Sequence, residues 1–301
     1  MPLTLKQVRY FIAAAETGQI SHAAMEMNIS QSAVTAAIQA LEAELGVRLL
    51  DRSATGVTPT IEGARFLARA RNITAAVEDA VRSPLGPGQN VSGRLRLGAT
   101  YTVAGYFMSR HYARFRRAYP DIAVEMVEMP RAAIESGLAD GLLDLAVMLV
   151  SNLEDRAALD FETLLRSRRR LWLPADHPLL TAERIALADV AREPYIMLTV
   201  DEARDTARRY WARAGLSPRV IFATSSVEAV RSRVASGMGV TILSDMVYRP
   251  WSLEGQRLEL RSLHDDIPSM DVGLAWARGR VLAPPAAVFR AFMSVAMGGG
   301  G

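Results

Sequence analysis

Cysteine is absent from the 301-residue sequence, and lysine occurs only once, at Lys6. Without thiols the chain can form neither disulfides nor cysteine-ligated zinc sites. A Walker A phosphate loop and a Schiff-base active site each need a lysine in a specific setting, which an N-terminal helical pattern does not provide. The Gly-x-Ser-x-Gly nucleophile motif is missing, and the four histidines lack metal-ligand spacing. We therefore predict no catalytic residue, no metal site and no cofactor.

Long hydrophobic runs are also lacking. No stretch reaches the roughly 18 to 20 apolar residues of a membrane span, and the N-terminus lacks the cationic and apolar segments of a secretory signal. We therefore expect a cytoplasmic protein with no membrane partner. Half of the residues are hydrophobic and 22% are charged, which at this length predicts two or three globular domains. The net charge of +3 permits a nucleic-acid partner without indicating one.

The first sixty residues have the pattern of three helices. Apolar residues recur at three- and four-residue spacing, and Gly18 and Gly46 stand where the first and third helices would stop. Ser21 and Ser30 are the expected caps of the second and third. We therefore predict helices over 5–16, 21–27 and 30–45.

The third helix has two distinct faces. Its core stripe comprises Val34, Ile38, Leu41 and Leu45, and its polar side comprises Gln31, Thr35, Gln39 and Glu42, with Ser32 beside them. Two short helices joined by a tight turn, the second opening on small polar side chains, suit the DNA major groove, where glutamine can pair with adenine. The alternative, on the pattern alone, is an ordinary solvated helix surface.

A resemblance to a known family favours DNA reading. The segments 23–35 and 38–52 resemble the N-terminal signature of LysR-type transcriptional regulators, in which they form a winged helix-turn-helix with the wing near 49–59. The resemblance implies that DNA is contacted by Ser30, Gln31, Ser32, Thr35, Gln39 and Arg52. Ala36 departs from the family pattern, because many relatives carry Arg, Lys or Gln there, so one contact is missing.

A long helix is expected from Thr60 to about Arg82. Its apolar stripe consists of Leu67, Ala70, Ile73, Val77, Ala80 and Val81. At 1.5 Å per residue the helix is roughly 33 Å long. In the resembling family this helix pairs with that of a second subunit, which implies a dimer and, further, a tetramer. The alternative is packing of the stripe onto its own chain.

Strand-like and helix-like segments alternate from residue 93 onward, which predicts an α/β domain with mostly parallel sheets. Three segments, 137–147, 175–179 and 237–243, resemble the LysR-type effector domain. That domain is similar to a periplasmic binding protein, with two α/β lobes and a cleft between them. His177, in the second of these segments, is expected to have a structural role in a turn, and the arginine-rich run 166–170 is expected to be a solvated face or a subunit contact.

The predicted fold combines an all-α winged helix-turn-helix unit and long linker helix with a C-terminal two-lobed α/β domain. In chain order the parts are the DNA-binding domain (1–59), the linker and dimerisation helix (60–82), a turn-rich hinge linker (83–92), the effector-binding domain (93–297, with lobe I at about 93–164 and 271–297 and lobe II at about 165–270) and a disordered tail (298–301).

Candidate effector contacts follow from the α/β pattern. Ligands of open α/β sheets bind beyond the carboxyl ends of strands, near helix N-termini whose free N–H groups favour anions. Four residues with hydroxyl groups follow predicted strands in this way: Thr100, Thr102, Thr199 and Ser226. Arg131 would add a positive charge at the cleft mouth. We therefore predict a small, anionic effector at these five residues. The alternative is that the hydroxyls are ordinary helix caps.

Three functional classes share a two-lobed α/β domain, so the fold alone does not decide among them. If the chain were a solute-binding protein, its N-terminal third would have no role. If it were an enzyme, it would need a nucleophile, metal or cofactor constellation, which the sequence lacks. We therefore predict a ligand-responsive, sequence-specific DNA-binding transcriptional regulator. Its expected partners are double-stranded DNA, the effector, further copies of itself and, as a candidate, RNA polymerase.

Overall fold

The computed structural model describes residues 3–53, 56–82 and 91–297. Contacts divide the chain into two compact units, Met1–Gly86 and Pro87–Gly301. Most of the predicted linker, at 83–90, and the predicted tail at 298–301 lie outside the described residues.

Three short helices, a β-hairpin and a long helix make up the first unit. In chain order they are α1 (Leu5–Thr17), α2 (Ile20–Glu26), α3 (Gln31–Leu45), β1 (Leu50–Ser53), β2 (Gly56–Pro59) and α4 (Ile61–Arg82). The two strands pair antiparallel and form the expected wing. Left-handed Gly18 and Gly46 end α1 and α3, as predicted. The expected Ser21 cap is wrong, because Gln19 occupies the cap position of α2 and Ser21 lies inside the first turn.

The core of the first unit lies between its three short helices. Phe11 of α1, Ala23 of α2 and the α3 residues Val34, Ile38 and Leu41 have no exposed surface. Alanine at position 23 lets the neighbouring helix approach closely, and each large side chain buried here stabilises the fold by roughly 1.5–3 kcal/mol. This burial fixes which face of α3 remains available to a partner.

The long helix α4 packs against the wing at a glycine. A Cβ at Gly63 would lie 1.9 Å from the carbonyl oxygen of Leu49, so only glycine allows this approach. Ala70 is fully buried, whereas Ile73 is 43% exposed. The first part of the apolar stripe is therefore covered by its own chain, and Ile73 is left open.

The second unit is an α/β domain of two lobes. Its elements are β3 (Gly93–Ala99), α5 (Tyr101–Val103), a π-helical stretch (Ala104–Met108), α6 (Ser109–Ala118), β4 (Ile122–Glu128), α7 (Arg131–Ala139), β5 (Leu145–Leu149), β6 (Leu159–Ser167), β7 (Arg169–Pro174), α8 (Leu187–Val190), β8 (Pro194–Leu198), α9 (Ala203–Arg213), β9 (Arg219–Thr224), α10 (Val227–Ala235), β10 (Thr241–Ser244), β11 (Leu258–Arg261), β12 (Met270–Ala277) and α11 (Pro284–Met297), with short 3-10 turns at Val150–Asn152, Pro178–Leu180 and Asp245–Val247. The stretch from α5 to α6 is one uninterrupted helical run, 101–118.

Lobe I is built on a five-stranded sheet of order β4-β3-β5-β12-β6. β3 runs parallel to β4 and β5, while β12 runs antiparallel to β5 and β6. In the core of this lobe, Phe115 of α6 packs edge-on against Phe289 of α11, with the ring centroids 4.8 Å apart. Because β3 and β5 are parallel neighbours, the residues that follow them, Thr100 and the 3-10 turn Val150–Asn152, come to the same edge of the sheet.

Lobe II contains a three-stranded sheet of order β10-β7-β11 and a two-stranded sheet of β8 and β9. The first is antiparallel throughout and the second is parallel. The expectation of mostly parallel sheets is therefore wrong for this lobe, because β7 pairs antiparallel with both of its neighbours. Trp172, Tyr195 and Trp211 fill its two core clusters.

Two chain passages connect the lobes. Ser167 ends β6 and Met270 begins β12, and these two residues are paired in register. The last strand of lobe I before the first passage therefore ends at Ser167, and the strand after the second passage begins at Met270. The arginine-rich run lies at this crossing: Arg169 Nη1 donates to the Ser269 carbonyl oxygen at 2.6 Å and so joins the two passages. For Arg169, the expected solvated face or subunit contact is corrected to a structural role.

Candidate DNA-reading surface and interlobe cleft

Ser30 organises the first turn of α3. Its Oγ accepts the backbone N–H of Ala33 at 3.3 Å and lies 3.0 Å from Oγ of Ser32. Such a cap satisfies one of the donors that a helix start leaves open. The cap fixes the orientation of the side chains that follow, while both serines remain exposed.

The other predicted reading residues of α3 lie on the face away from the core. Gln31 and Gln39 are exposed and Thr35 is half-buried, whereas Val34 and Ile38 are fully buried. Four-residue steps keep the three polar side chains on one side of the helix. They are therefore available for hydrogen bonds to base edges or phosphates.

Glu42 differs from the polar residues with which the sequence groups it. Its Oε1 accepts the backbone N–H groups of Leu49 at 2.8 Å and Leu50 at 3.1 Å. These bonds tie the end of α3 to the start of the wing. The side chain is therefore a structural clamp, and the sequence pattern alone did not separate this role from a solvated face.

Arg52 is exposed on β1 of the wing. The hairpin is held on the end of α1 by the backbone N–H of Val57, which donates to the Gly18 carbonyl oxygen at 2.9 Å. A guanidinium on a hairpin that is anchored in this way can contact a phosphate or the minor groove.

Thr100 and Thr102 lie at the carboxyl end of β3 and are both buried. The backbone N–H and Oγ1 of Thr102 donate to Oδ2 of Asp201, in lobe II, at 2.7 and 2.5 Å. Thr100 occupies the cap position of α5 but makes no cap bond, and its Oγ1 has no hydrogen-bond partner among the described residues. Neither threonine is therefore an ordinary helix cap.

Arg131, at the start of α7, contacts three carboxylates. Its guanidinium nitrogens lie 3.2 Å from Glu135, 2.8 Å from Glu154 and 3.3 Å from Glu202. These acids compensate the positive charge that Arg131 brings to this place, and its side chain is only 10% exposed. Glu202 belongs to lobe II, so one of the three contacts crosses the cleft.

Two further lobe I side chains contact lobe II. Asn152 Nδ2 donates to the backbone oxygen of Asp201 at 2.9 Å and to Glu202 Oε2 at 3.4 Å. The Tyr106 hydroxyl donates to Glu228 Oε1 at 2.8 Å. Burial raises the pKa of Glu202. Two effects raise the pKa of Tyr106 to about 12: burial, which is the larger, and the hydrogen bond to Glu228. The Tyr106 hydroxyl therefore stays a neutral donor near neutral pH.

Asp201 and Glu202, the acidic partners at the cleft, are not among the residues predicted from the sequence. α9 begins only at Ala203, because Asp201 and Glu202 have φ angles of 50° and 59°. The available signal was the pair of adjacent carboxylates after β8, at the kind of strand end where ligand contacts were sought.

The other two predicted effector residues have different positions. The Thr199 N–H donates to the Thr224 carbonyl oxygen at 2.8 Å, which continues the pairing of β8 with β9. Ser226 caps α10, with its Oγ accepting the Ala229 N–H at 3.1 Å. Thr199 thus lies at the base of the segment that reaches lobe I, while Ser226 has the helix-cap role that was its alternative.

Within the described part of the chain, no three His, Asp or Glu side chains are grouped so as to hold a metal ion. Nor does that part contain a helix with the length and apolar character needed to cross a bilayer. His177 has a structural place at the start of a 3-10 turn, where its Nδ1 accepts the Leu179 N–H at 3.2 Å.

Two family models match the chain. The bacterial regulatory helix-turn-helix model of the LysR family matches residues 5–64, and the LysR substrate binding domain model matches residues 88–297. The second match alone spans more than half of the sequence.

Curated relatives match along most of their length. The chain is 30% identical over 303 residues to the uncharacterized HTH-type transcriptional regulator YnfL of Escherichia coli (strain K12), which covers 96% of this chain and 97% of the relative. It is 29% identical over 242 residues to the hydrogen peroxide-inducible genes activator of Pectobacterium carotovorum subsp. carotovorum, covering 80% of each.

Solved structures share the fold. A putative LysR family transcriptional regulator from Pseudomonas aeruginosa, the PA01 protein, is 26% identical with a TM-score of 0.64 and covers 99% of this chain and 100% of its own. HinK, a LysR family transcriptional regulator from the same organism, is 26% identical with a TM-score of 0.64, covering 98% of this chain and 99% of its own. Two domain models and these full-length similarities place the chain in one family: it belongs to the LysR family of bacterial transcriptional regulators, with a DNA-binding helix-turn-helix unit and an effector-binding domain.

Proposed function

We propose that this regulator binds a specific DNA sequence through α3 and the wing, and that a small anionic molecule bound between lobes I and II modulates its activity. The observation that carries the effector half is the pair of Thr102 donors, a backbone N–H and a hydroxyl, that meet on one carboxylate oxygen of Asp201. A carboxylate in a ligand can use the same two donors.

The DNA-binding half of the proposal has its support in α3. Ser30, Gln31 and Gln39 are exposed on a helix whose opposite face is buried, and the wing places Arg52 on an anchored hairpin. In this proposal Gln31, Ser32, Thr35 and Gln39 read or position bases, while Ser30 and Arg52 contact the backbone.

The proposed effector contacts are Thr100, Thr102, Arg131, Thr199 and Ser226. Support is strongest for Thr100 and Thr102, because one hydroxyl there is unpartnered among the described residues and the other already holds an acid. Arg131 would act after exchanging one of its three acidic partners. A ligand can shift the lobes only as far as its affinity differs between their states, typically by about 1–3 kcal/mol of coupling.

Further copies of the chain and RNA polymerase are the proposed protein partners. The exposed Ile73 on α4 supports pairing of that helix with its copy in a dimer, and two dimers would form the tetramer. A regulator of chromosomal DNA works where that DNA is, so we place it in the cytoplasm.

We propose a regulator that is not an enzyme and that needs no cofactor. No cysteine occurs in the 301 residues. A cysteine-dependent response to oxidant is therefore outside this proposal.

A gel-retardation assay with DNA from upstream of the protein's own gene tests the regulator. The expected result is a retarded fragment that unlabelled fragment displaces and unrelated DNA does not. A solute-binding protein or an enzyme would leave the fragment unshifted.

The effector half is tested with Thr102→Val, which keeps the side-chain shape and removes the hydroxyl. A panel of small carboxylic acids is screened for its effect on operator binding, with Thr102→Ser as the control that retains the donor. We expect the valine variant to bind operator and ignore the acid to which parent and serine variant respond. An undiminished response in the valine variant would move the site elsewhere.

A further inference from the structure

Lobe II contributes an acidic segment to the cleft where the effector contacts were expected. This segment consists of Asp201 and Glu202, in the loop between β8 and α9. Oδ2 of Asp201 receives both Thr102 donors, at 2.7 Å from the backbone nitrogen and 2.5 Å from Oγ1. The side chain of aspartate ends in a methylene and a carboxylate, so it presents to Thr102 the same group that acetate would.

The rest of the acidic segment is also held by lobe I. Asn152 Nδ2 donates to the Asp201 backbone oxygen at 2.9 Å, and the Glu202 carboxylate lies 3.3 Å from Arg131 Nε. Lobe I therefore grips both side chains and one backbone carbonyl of two consecutive residues. A segment that only passed the cleft would not be held at all of these points.

The backbone of the acidic segment is in an unfavourable conformation. Asp201 and Glu202 have φ of 50° and 59°, and among the described residues Asn28 is the only other non-glycine residue with a positive φ. The left-handed region is tolerated by Asp but is disfavoured for Glu. Two such residues in a row persist when surrounding contacts hold them. Lobe I supplies such contacts here, in addition to the bond within lobe II from the Thr206 N–H to the Glu202 carbonyl oxygen.

A buried hydroxyl beside Thr102 is left over. Thr100 is 1% exposed, and its Oγ1 has no partner among the described residues. Buried hydroxyls are nearly always hydrogen-bonded. The unpartnered hydroxyl therefore indicates that the acidic segment does not satisfy every hydrogen-bonding group of this site. A ligand with two carboxylate oxygens can use this donor together with those of Thr102.

We propose that the acidic segment is a built-in occupant of the effector site: Asp201 holds the lobes together in the absence of effector, and a small carboxylate binds by displacing it from Thr102. This inference rests on the proposed function of the cleft. The apparent affinity for the acid is reduced by the fraction of molecules whose site is filled by the segment. The two states differ in whether lobe II is tied to Thr102 through its own chain, and this difference gives the ligand a conformation to select.

The first test uses Asp201→Gly and acetate. Glycine suits a φ of 50° and leaves a space of the size of acetate beside Thr102. Thermal unfolding of the full chain is followed against sodium acetate, with sodium chloride holding ionic strength constant. We expect saturable stabilisation of Asp201→Gly at an acetate concentration at least tenfold lower than any saturable effect on the parent. Adding Thr102→Val to the glycine variant should abolish it.

The matched control is Asp205→Asn, which removes a neighbouring negative charge on the exposed first turn of α9. It should respond to acetate as the parent does. The proposal is overturned if Asp201→Gly shows no saturable acetate effect, or if Asp205→Asn gains one of the same size.

The second test measures the distance between the lobes. Because the chain has no cysteine, Ser136→Cys in lobe I and Ser236→Cys in lobe II can carry spin labels for electron–electron resonance. We expect a narrow distance distribution in the parent, a broader one in Asp201→Gly, and a return to a narrow one with acetate. An Asp201→Gly distribution identical to that of the parent would overturn the proposal that Asp201 holds the two lobes together, a role we call the latch.

The outcomes separate this inference from the proposed function. If no carboxylic acid changes operator binding in parent or variant, the effector half of the proposed function fails, while acetate binding and the distances still decide the latch. If acids regulate the parent through Thr102 but Asp201→Gly behaves as the parent does, the latch fails and the proposed function stands.

Discussion

The Glu42 carboxylate accepts the backbone N–H of Leu49 at 2.8 Å, and so joins the end of α3 to the beginning of the wing. The same oxygen accepts the N–H of Leu50 at 3.1 Å. Both elements that are expected to touch DNA are therefore positioned by one side chain that does not itself lie among the predicted contacts.

Replacing Glu42 by Ala should destabilise the first unit by about 1–3 kcal/mol, because two backbone donors lose their acceptor. Glu42→Gln keeps a carbonyl oxygen and should lose less. Urea unfolding monitored by circular dichroism checks the order. Equal stability of the alanine variant and the parent would show that water replaces the carboxylate at no cost.

Gln31→Ala should weaken operator binding by about 1–3 kcal/mol without changing thermal stability, because the side chain lies outside the core. Arg52→Ala is the informative comparison. A backbone contact weakens specific and non-specific binding together, whereas loss of a base contact weakens specific binding alone. Fluorescence anisotropy with operator and scrambled DNA distinguishes the two. Unchanged operator affinity of Gln31→Ala would contradict the assignment of α3.

The combined changes Ile73→Asp and Val77→Asp should dissociate the dimer, because they place charges in an apolar seam. Ala64→Asp is the control: it lies on the same helix, is exposed, and by helical geometry faces the opposite direction. Light scattering should give the monomer mass for the first variant and the parent mass for the second. A dimer that survives Ile73→Asp and Val77→Asp would place the interface elsewhere.

His111 should make the protein sensitive to mild acid. Its imidazole is 2% exposed and packs on Phe107, and burial, aided by Arg110 and Arg114, lowers the pKa of His111 from 6.5 to about 4. Between these values the unfolded chain binds a proton that the folded chain does not. The contribution of His111 to the free energy of unfolding is therefore fully present above pH 6.5. It decreases toward pH 4, by up to about 1.4 kcal/mol for each pH unit.

His111→Phe removes this titration while retaining a ring against Phe107. The difference in unfolding free energy between pH 7 and pH 5, from urea titrations, should be smaller in the variant than in the parent. Equal acid destabilisation of the two proteins would assign the effect to other groups.

Much of the first unit could be predicted from sequence because its signals are local. The Ser30 cap, the glycine stops and the apolar spacing of α3 each act within one helix, and the structure has them where they were expected. The role of Glu42 could not be predicted, because its partners lie seven and eight residues away and are backbone groups.

The cleft was predicted only in part, because its decisive contacts are distant in sequence. Thr102 and Asp201 are 99 residues apart, and periodicity carries no information about such a pair. Likewise, the sequence could not predict that Glu202, 71 residues further on, lies beside Arg131. Strand ends indicated where a ligand could bind, but the chain's own acids at that place appeared only in the folded structure.

Recognition of a specific DNA sequence through α3 can be measured by selection from fragmented genomic DNA. Bound fragments are recovered over several rounds, sequenced, and titrated against scrambled DNA of the same composition. We predict a shared site with inverted-repeat character, bound at least about a thousandfold more tightly than scrambled DNA, and a preference that is smaller by about 1–3 kcal/mol in Gln31→Ala. Recovery of fragments without a common sequence, bound no better than scrambled DNA, would contradict it.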